Sequence, residues 1–339
     1  MKTANYKIVI FDGTFQTTTF IRRLMQGLVA HGHEVYVLGF NLHNPSPVQG
    51  VNYISLGSNQ NKFEFITTSL RHQGLDALTN LLRFDRKKLQ GHNLQYVLTK
   101  IKPNLIHVQW PSLLPWLSFV LRENNIPVVL SERGSQILIK PKVEKIFKEQ
   151  LTWFYPCLKG IHAVSLHIAQ TSKDLLNHQL FTRVIYSGIN LNDWKFVPRK
   201  QKIKESIQFL SVGRAHYVKG YIYAIKALAM LKQKGVKFQY TIIGGQDEEL
   251  SYLINYYQLN KQVKLLNKLS IGQVKKYYNK SDALLLPSLS EGVANVAIES
   301  MAVGLPVISA NVGGMSELIT HSETGFLLEI CSIFFAYDL

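Results

Sequence analysis

The stretch IQFLSVGRAHYVKGYIYAIKALAMLKQKGVKFQYTIIGG, residues 207–245, decides the fold class. An apolar run ends at Gly213, a helical pattern extends to Gly235, and a second apolar run ends in a pair of glycines. Short apolar runs that alternate with helical segments are typical of parallel strands connected by crossover helices. The stretch therefore predicts a strand, a helix and a second strand parallel to the first.

The same alternation extends over nearly the whole chain, with one interruption. Residues 189–206 are rich in charge and show no periodicity, which is typical of a linker. We therefore predict an α/β protein with two Rossmann-like, doubly wound parallel-sheet domains facing a cleft, residues 1–188 and residues 207–339. Open sheets of this kind bind ligands at the carboxyl ends of their strands, which suits two substrates that meet in the cleft.

The composition is that of a globular chain, with 339 residues, 46% hydrophobic and 18% charged. No apolar run reaches the roughly 18 residues that span a bilayer, and the amino-terminal segment lacks the features of a signal peptide. Cys157 and Cys331 lie far apart and fit no metal spacing. We interpret them as reduced thiols and expect a cytoplasmic protein, either free or peripheral on the inner face of the membrane.

The formal net charge of the chain is +16. Nucleic acid, an anionic membrane surface or a phosphorylated ligand would each be attracted by such a charge, and a generally basic proteome would also explain it. No nucleic-acid recognition motif accompanies the charge, so we expect no nucleic-acid partner.

A long helix is predicted over residues 142–158, and basic and apolar side chains interleave around it. Such a segment either lies on an anionic membrane or packs against its own sheet, and the sequence leaves both interpretations open. The residues concerned are Lys140, Lys142, Lys145 and Lys148 with Val143, Ile146, Phe147 and Phe154.

Two glutamates interrupt the apolar segment PSLSEGVANVAIESMAVGLPVI, residues 287–308. Glu299 falls in the middle of a helix that is apolar on nearly every face, where an ionised carboxylate costs several kcal/mol unless it is paired or hydrogen bonded. A Lys or Arg partner and a pair of ligand hydroxyls both remain possible partners. Glu291 follows a predicted strand, where ligands bind, and the small residues after it allow backbone N–H groups to approach an anion.

Two cations follow the strand that ends at Gly213. Arg214 and Lys219 precede a helix, so they predict a phosphate or diphosphate site, with a solvated basic loop as the alternative. The glycine turns at 244–245 and at Gly13 are weaker signals of ligand approach. The chain has no Asp-x-Asp, histidine cluster or P-loop, so we expect no required metal or cofactor and no ATP hydrolysis.

Four motifs, SVGRAHYVKG, TIIGG, PSLSEGVANVAIESMAVGLPVISANVGGMSEL and SETGFLL, resemble in order and spacing the donor domain of retaining glycosyltransferases of family 4. The first half is similar to the same family more loosely, through KIVIF, GHEVYVL, PNLIHVQW, PVVLSERGS and YSGINLNDW. The resemblance implies the GT-B fold. It also implies metal-independent transfer of a sugar, with retention, from a nucleotide-diphosphate sugar to a hydroxyl of a saccharide or lipid-linked acceptor, in surface polysaccharide or glycolipid biosynthesis.

The resemblance also implies roles for individual residues of the second half. Arg214 and Lys219 would bind the diphosphate and assist its departure. Glu299 would hold the ribose hydroxyls, and Glu291 would face the transferred sugar. The backbone of Gly292, Val293, Ala294 and Asn295 would lie along the sugar and the phosphates.

In the first half, the resemblance places Gly13 in the loop that approaches the donor. Arg133 departs from the family pattern, because relatives often carry histidine before the glycine of SERGS. Since arginine cannot act as a base at neutral pH, we expect it to hold the sugar, a phosphate or an acidic acceptor. The carboxyl-terminal segment EICSIFFAYDL also departs from the pattern and suggests a truncated or altered end, which leaves activity open.

Two other functions stay compatible with this sequence. A sugar-nucleotide epimerase on the same fold would interconvert nucleotide sugars without an acceptor. A non-catalytic, truncated protein would bind the nucleotide sugar without turnover.

Overall fold

The computed structural model describes residues 5–15, 18–40, 46–74, 77, 85–196, 198 and 205–329. The chain divides into two compact units. Unit 1 comprises Met1–Val164 and Ala169–Ile185, and unit 2 comprises Ser165–Ile168 and Tyr186–Leu339.

Unit 1 contains seven strands in one sheet, in the order β3-β2-β1-β4-β5-β6-β7, and every pair in it is parallel. The strands are β1 Lys7–Gly13, β2 Glu34–Gly39, β3 Val51–Ser55, β4 Leu105–Val108, β5 Val128–Glu132, β6 Gly160–Ala163 and β7 Thr182–Val184. The described α-helices up to β7 are α1 Thr19–Ala30, α2 Lys62–Gln73, α3 Arg86–Ile101, α4 Ser118–Glu123, α5 Ser135–Leu138, α6 Lys140–Val143, α7 Lys145–Phe154 and α8 Leu166–Leu176.

Unit 2 contains a parallel sheet of six strands in the order β10-β9-β8-β11-β12-β13. The strands are β8 Ile207–Val212, β9 Phe238–Ile243, β10 Val263–Leu266, β11 Ala283–Leu286, β12 Val307–Ala310 and β13 Phe326–Leu328. The helices are α9 Tyr221–Gln233, α10 Glu248–Tyr256, α11 Ile271–Lys280 and α12 Asn295–Ala302. The predicted α/β class with two doubly wound parallel sheets is confirmed.

The centre of the unit 2 sheet is buried on both faces, which explains why β11 is apolar throughout rather than alternating. Phe209 and Leu285 belong to the core on one face, and Leu210, Leu284 and Leu286 belong to the core on the other. Neighbouring side chains of a strand point to opposite faces, so each central strand contributes to two cores.

The segment predicted as a linker takes part in this packing. Trp194 is only 2% exposed and belongs to the second of the two cores, where its ring lies 5.6 Å from that of Tyr278. The charge-rich composition of the segment gave no indication of this, because a single buried aromatic ring has no periodicity.

The prediction of one long helix over residues 142–158 is wrong. The chain forms α6 and α7 with Glu144 between them in an extended conformation, and α7 gives way to a 3₁₀ turn at Tyr155–Cys157. Phe147 and Phe154 are buried, so they are excluded from the surface that the basic side chains were expected to share with them.

A buried carboxyl group lies in the core of unit 1. Glu132 ends β5 and is 0% exposed; its Oε1 accepts hydrogen bonds from the hydroxyls of Tyr155 at 2.5 Å and Ser172 at 2.6 Å. Its Oε2 is buried and has no hydrogen-bond partner in the part of the chain that the structure describes. Burial raises the pKa of Glu132 from 4.5 to about 7, although both hydrogen bonds act in the opposite direction.

This raised pKa predicts a stability that falls as pH rises. The folded protein favours the protonated carboxyl of Glu132. Its contribution to the free energy of unfolding is therefore full below pH 4.5 and is lost as pH rises to about 7. Relative to a Glu132→Gln variant, the wild-type unfolding free energy should fall by roughly 1–3 kcal/mol over this range. Denaturation of both proteins at matched pH values measures the difference, and parallel curves from pH 4 to 8 would contradict the prediction.

Candidate functional site

An ion pair connects two of the predicted site residues of unit 2. Nζ of Lys219 lies 2.7 Å from Oε1 of Glu291, and the hydroxyl of Ser288 donates to the same oxygen at 2.9 Å. The two side chains are only 25% and 14% exposed, so the pair is partly shielded from water. Lys219 follows β8 and Glu291 follows β11, which are neighbours in the sheet, so their carboxyl ends meet at one edge.

Close backbone contact holds these two loops together. The N–H of Leu289 donates to the carbonyl of Val218 at 2.7 Å. Gly220, at φ +62°, is the N-cap of α9 and lies against the carbonyl of Pro287, where a Cβ would be 1.9 Å from that oxygen. Only glycine fits this position, because any side chain would collide with the neighbouring loop.

A second glycine turn supports the loop of Glu291 from the other side. The N–H of Gly314 donates to the carbonyl of Gly292 at 2.7 Å. Gly313 has a φ of +57°, and a Cβ there would lie 1.7 Å from the carbonyl oxygen of Glu291. The sequence reasoning did not single out these glycines, although they lie within the motif that carried the resemblance.

Glu299 lies in α12 and is 8% exposed. The hydroxyl of Tyr278 donates to its Oε2 at 3.4 Å, and burial together with the Glu299 charge raises the pKa of that tyrosine. At the start of the same helix, Ala294 provides no side-chain cap, and Oδ1 of Asn295 is buried without a hydrogen-bond partner among the described residues. The first turn of α12 therefore keeps polar groups available for a ligand.

Arg214 is exposed and lines a cavity of about 550 Å³ at the carboxyl ends of β8, β9 and β10. The glycine turn after β9 forms another wall, since the carbonyl of Gly244 accepts a hydrogen bond from the N–H of Ala215 at 2.9 Å. Other lining residues are polar, and the sequence reasoning missed them: Gln246, Asn267 and Lys268. Asn267 and Lys268 directly follow the run VKLL. This position at the end of a predicted strand could have indicated them as ligand-binding residues.

Two of the predicted residues, Gly13 and Arg133, belong to unit 1. Gly13 ends β1 with a φ of +75°, and a Cβ there would lie 2.9 Å from the side chain of Leu113. Arg133 follows β5, is half-buried, and donates to Oε1 of Gln109 at 3.0 Å. Burial lowers its pKa to about 10, so the guanidinium remains protonated at neutral pH.

Among the described residues, no group of three or more His, Cys, Asp or Glu side chains is placed to hold a metal ion. The helices in the same part of the chain are all too short or too polar to cross a membrane.

Comparison with known families decides the identity of the chain. The model of Glycosyltransferase Family 4 matches residues 17–193, and that of Glycosyl transferases group 1 matches residues 192–333. The chain belongs to glycosyltransferase family 4. This confirms the membership of family 4 that the motifs indicated. The amylovoran biosynthesis glycosyltransferase AmsK of Erwinia amylovora is 38% identical over 153 residues, which is 41% of this chain and 38% of AmsK.

Solved structures agree with this chain in fold. Sucrose-phosphate synthase from Thermosynechococcus elongatus superposes with a TM-score of 0.77 at 18% identity, over 97% of this chain and 87% of that protein. HepE from Anabaena, in complex with UDP-glucose, gives a TM-score of 0.71 at 18% identity, over 98% and 88%. At this identity the likeness shows the fold alone, which is GT-B.

The packing of Gly313 against Glu291 predicts a large effect of one methyl group. Gly313→Ala should destabilise unit 2 by roughly 2–4 kcal/mol, because the new Cβ collides with the carbonyl of Glu291 and the backbone angle is unfavourable for alanine. Gly272→Ala in α11 is the matched control, since a Cβ there meets nothing within 4 Å. Calorimetric melting measures both, and equal melting temperatures for the two variants would contradict the packing argument.

Proposed function

We propose that this glycosyltransferase moves a sugar from a nucleotide-diphosphate sugar to a hydroxyl of a saccharide or lipid-linked acceptor, with retention and without a metal. The observation that carries the proposal is the Lys219–Glu291 ion pair at the carboxyl edge of the unit 2 sheet. Nζ of Lys219 and Oε1 of Glu291 lie 2.7 Å apart. The ammonium group can therefore bind a phosphate while the carboxylate beside it accepts a hydrogen bond from a sugar hydroxyl.

In this reaction the site must stabilise the diphosphate that leaves the sugar. The leaving group gains negative charge as the bond to the sugar breaks, and fixed cations stabilise that charge without reorganisation. Lys219 is fixed by its contact with Glu291, and exposed Arg214 supplies a second cation from the same loop. The uncapped first turn of α12 adds N–H groups, which favour an anion.

The two glutamates would then divide recognition of the donor. Glu299, held by Tyr278 inside α12, accepts hydrogen bonds from the ribose hydroxyls, and Glu291 accepts from the transferred sugar. The cavity beside Arg214 would take the rest of the nucleoside, with Asn267 and Gln246 as hydrogen-bonding partners. The binding of UDP-glucose by HepE supports a uridine nucleotide as the first donor to test.

The relative AmsK is named for amylovoran biosynthesis, and this supports a role in building a surface polysaccharide or a glycolipid. We propose that the enzyme works in the cytoplasm, at the inner face of the membrane.

Glu299→Gln should weaken the binding of a nucleoside diphosphate about 10- to 100-fold, because a charge-assisted hydrogen bond to a hydroxyl contributes roughly 1.5–3 kcal/mol. Glu323→Gln, an exposed glutamate of the same unit, serves as the control and should bind like the wild type. Calorimetric titration with UDP, GDP and ADP measures the affinity of the wild type and of both variants. The proposal fails if the wild type binds none of them.

Turnover separates the proposal from its alternatives. Sugar release that increases with an added acceptor supports transfer. Interconversion of nucleotide sugars with no acceptor present would identify an epimerase, and binding without any turnover would identify a non-catalytic protein.

The junction between α6 and α7 is the surface that we propose for an anionic membrane. Val143 and Ile146 are each 72% exposed, and residues 140–149 carry four lysines and two glutamates. Exposed apolar side chains surrounded by lysines can insert between lipid head groups while the ammonium groups contact anionic phosphates.

Replacing Val143 and Ile146 together by serine should reduce co-sedimentation with vesicles containing phosphatidylglycerol about tenfold or more, because both apolar side chains leave the bilayer. Ile271→Ser is the control, since Ile271 is 56% exposed but belongs to α11. Unchanged sedimentation of the double variant would exclude this surface from membrane binding.

A further inference from the structure

A cavity of about 410 Å³ lies between two helices of unit 1. One wall is a face of α3, and the other is formed by the 3₁₀ segment Pro111–Leu117 together with the start of α4. Its volume is within the range of small-molecule sites. The residues of α3 that line it and matter below are Lys87, Lys88, Gly91 and His92.

The two walls of the cavity offer different chemistry. Lys87 and Lys88 make the α3 wall basic, and neither ammonium group lies within 4 Å of a carboxylate in the part of the chain that the structure describes. The opposite wall is aromatic, with Trp116 and Phe119 half-buried. Nζ of Lys87 lies 5.8 Å from the ring centre of Trp116, so charge and apolar surface meet inside the cavity.

The carboxylate of Asp85 also lines the cavity, but it already has a partner. Its Oδ1 accepts a hydrogen bond from the N–H of Lys88 at 3.0 Å, as the N-cap of α3. The two lysines outnumber this carboxylate, and the ring of His92 adds a further hydrogen-bond donor. The cavity therefore favours an anion.

Gly91 keeps the cavity open at a cost to its helix. It lies in the interior of α3, where glycine is less favourable than alanine. A Cβ at this position would meet nothing within 4 Å, so no neighbouring atom requires the absence of a side chain. A larger side chain would instead occupy the cavity that Gly91 lines. The glycine therefore serves the cavity rather than the packing of α3.

The aromatic wall adjoins the helix that carries the proposed membrane surface. The 3₁₀ segment packs against α7, and the guanidinium of Arg122 in α4 lies 5.4 Å from the ring centre of Trp153 in α7. Trp153 is 48% exposed, and tryptophan is favoured where a protein meets a bilayer. A molecule anchored in the membrane could therefore reach the cavity.

Both walls together select the ligand. An inorganic anion would leave Trp116 and Phe119 unused, and a purely apolar molecule would leave the lysines without a counter-charge. A phosphate ester of a long-chain alcohol satisfies both walls, because its phosphate accepts hydrogen bonds from ammonium groups while its chain packs on the rings. We propose that this cavity binds the lipid phosphate of a lipid-linked acceptor. This inference rests on the proposed function, which includes such an acceptor.

Calorimetric titration of the full-length protein with octyl phosphate, octyl glucoside and inorganic phosphate, all below the micelle concentration, is the first test. Octyl phosphate should bind at least tenfold more tightly than the other two, because each of them offers only one half of its chemistry. The proposal is overturned if octyl phosphate does not bind, or binds no better than either of the others.

Filling the cavity gives the sharpest variant. Gly91→Leu should weaken the binding of octyl phosphate at least tenfold, and leucine has the higher helix propensity, so α3 should still form. Gly27→Leu in α1 is the matched control, since a Cβ there also meets nothing within 4 Å, and it should bind like the wild type. Wild-type affinity in the Gly91→Leu protein would exclude the cavity as the site.

Removing one charge tests the basic wall separately. Lys88→Gln should weaken the binding of octyl phosphate about tenfold, whereas Lys100→Gln in the last turn of the same helix should not. Melting temperatures equal to or above that of the wild type verify that the variants fold. Equal weakening by both lysine variants would show an effect of net charge alone and would contradict the site.

Vesicles distinguish a single lipid phosphate from the surface of a bilayer. Gly91→Leu should co-sediment with phosphatidylglycerol vesicles as the wild type does, because Val143 and Ile146 are unchanged. Lost sedimentation together with wild-type affinity for octyl phosphate would assign the cavity to bilayer head groups and overturn the proposal.

Kinetics separate the failure of this inference from the failure of the proposed function. With a saccharide linked to octyl phosphate as acceptor, Gly91→Leu should raise the KM for the acceptor at least tenfold and leave the KM for the nucleotide sugar unchanged. An unchanged KM for the acceptor would overturn the inference while leaving transfer intact. Binding of octyl phosphate that Gly91→Leu abolishes, in a wild type that transfers no sugar, would overturn the proposed function alone.

Discussion

The contact between Lys219 and Glu291 exists because β8 and β11 are neighbours in a parallel sheet. Strands that run in the same direction end at the same edge, so loops far apart in the sequence are brought side by side. The backbone then has to pack closely enough for the side chains to meet. Gly220 and Gly313 make this possible, because each lies against a carbonyl of the loop that carries Glu291 or precedes it.

Burial of the sheet on both faces sets the conditions for the polar groups at its edge. The central strands have no water on either side, so the loops at their carboxyl ends are the first places where charge is tolerated. The family 4 fold concentrates Arg214, Lys219 and Glu291 in those loops in unit 2. In unit 1 the same edge holds Asp12 and Arg133.

The buried carboxyl groups of this protein are stabilised in different ways. Glu132 accepts hydrogen bonds from the hydroxyls of Tyr155 and Ser172. Its pKa of about 7 favours the neutral carboxyl inside the core. Asp12 at a sheet edge accepts a hydrogen bond from Trp110, and Glu299 in α12 accepts one from the hydroxyl of Tyr278. Of the three, Glu299 is the group that we propose binds substrate, because it belongs to the helix that follows the loop of Glu291.

Local pattern in the sequence was enough to predict the α/β class, the two sheets and the loops that carry Lys219 and Glu291, because strand and helix periodicity depends on near neighbours. Strand order, the break at Glu144 and the packing of Trp194 came only from the tertiary structure. So did the hydrogen bond from Trp110 to Asp12, since whether a buried carboxylate has a partner depends on residues about a hundred positions away. Periodicity records which face of an element is apolar, but only three-dimensional packing decides which polar atoms are left for a ligand.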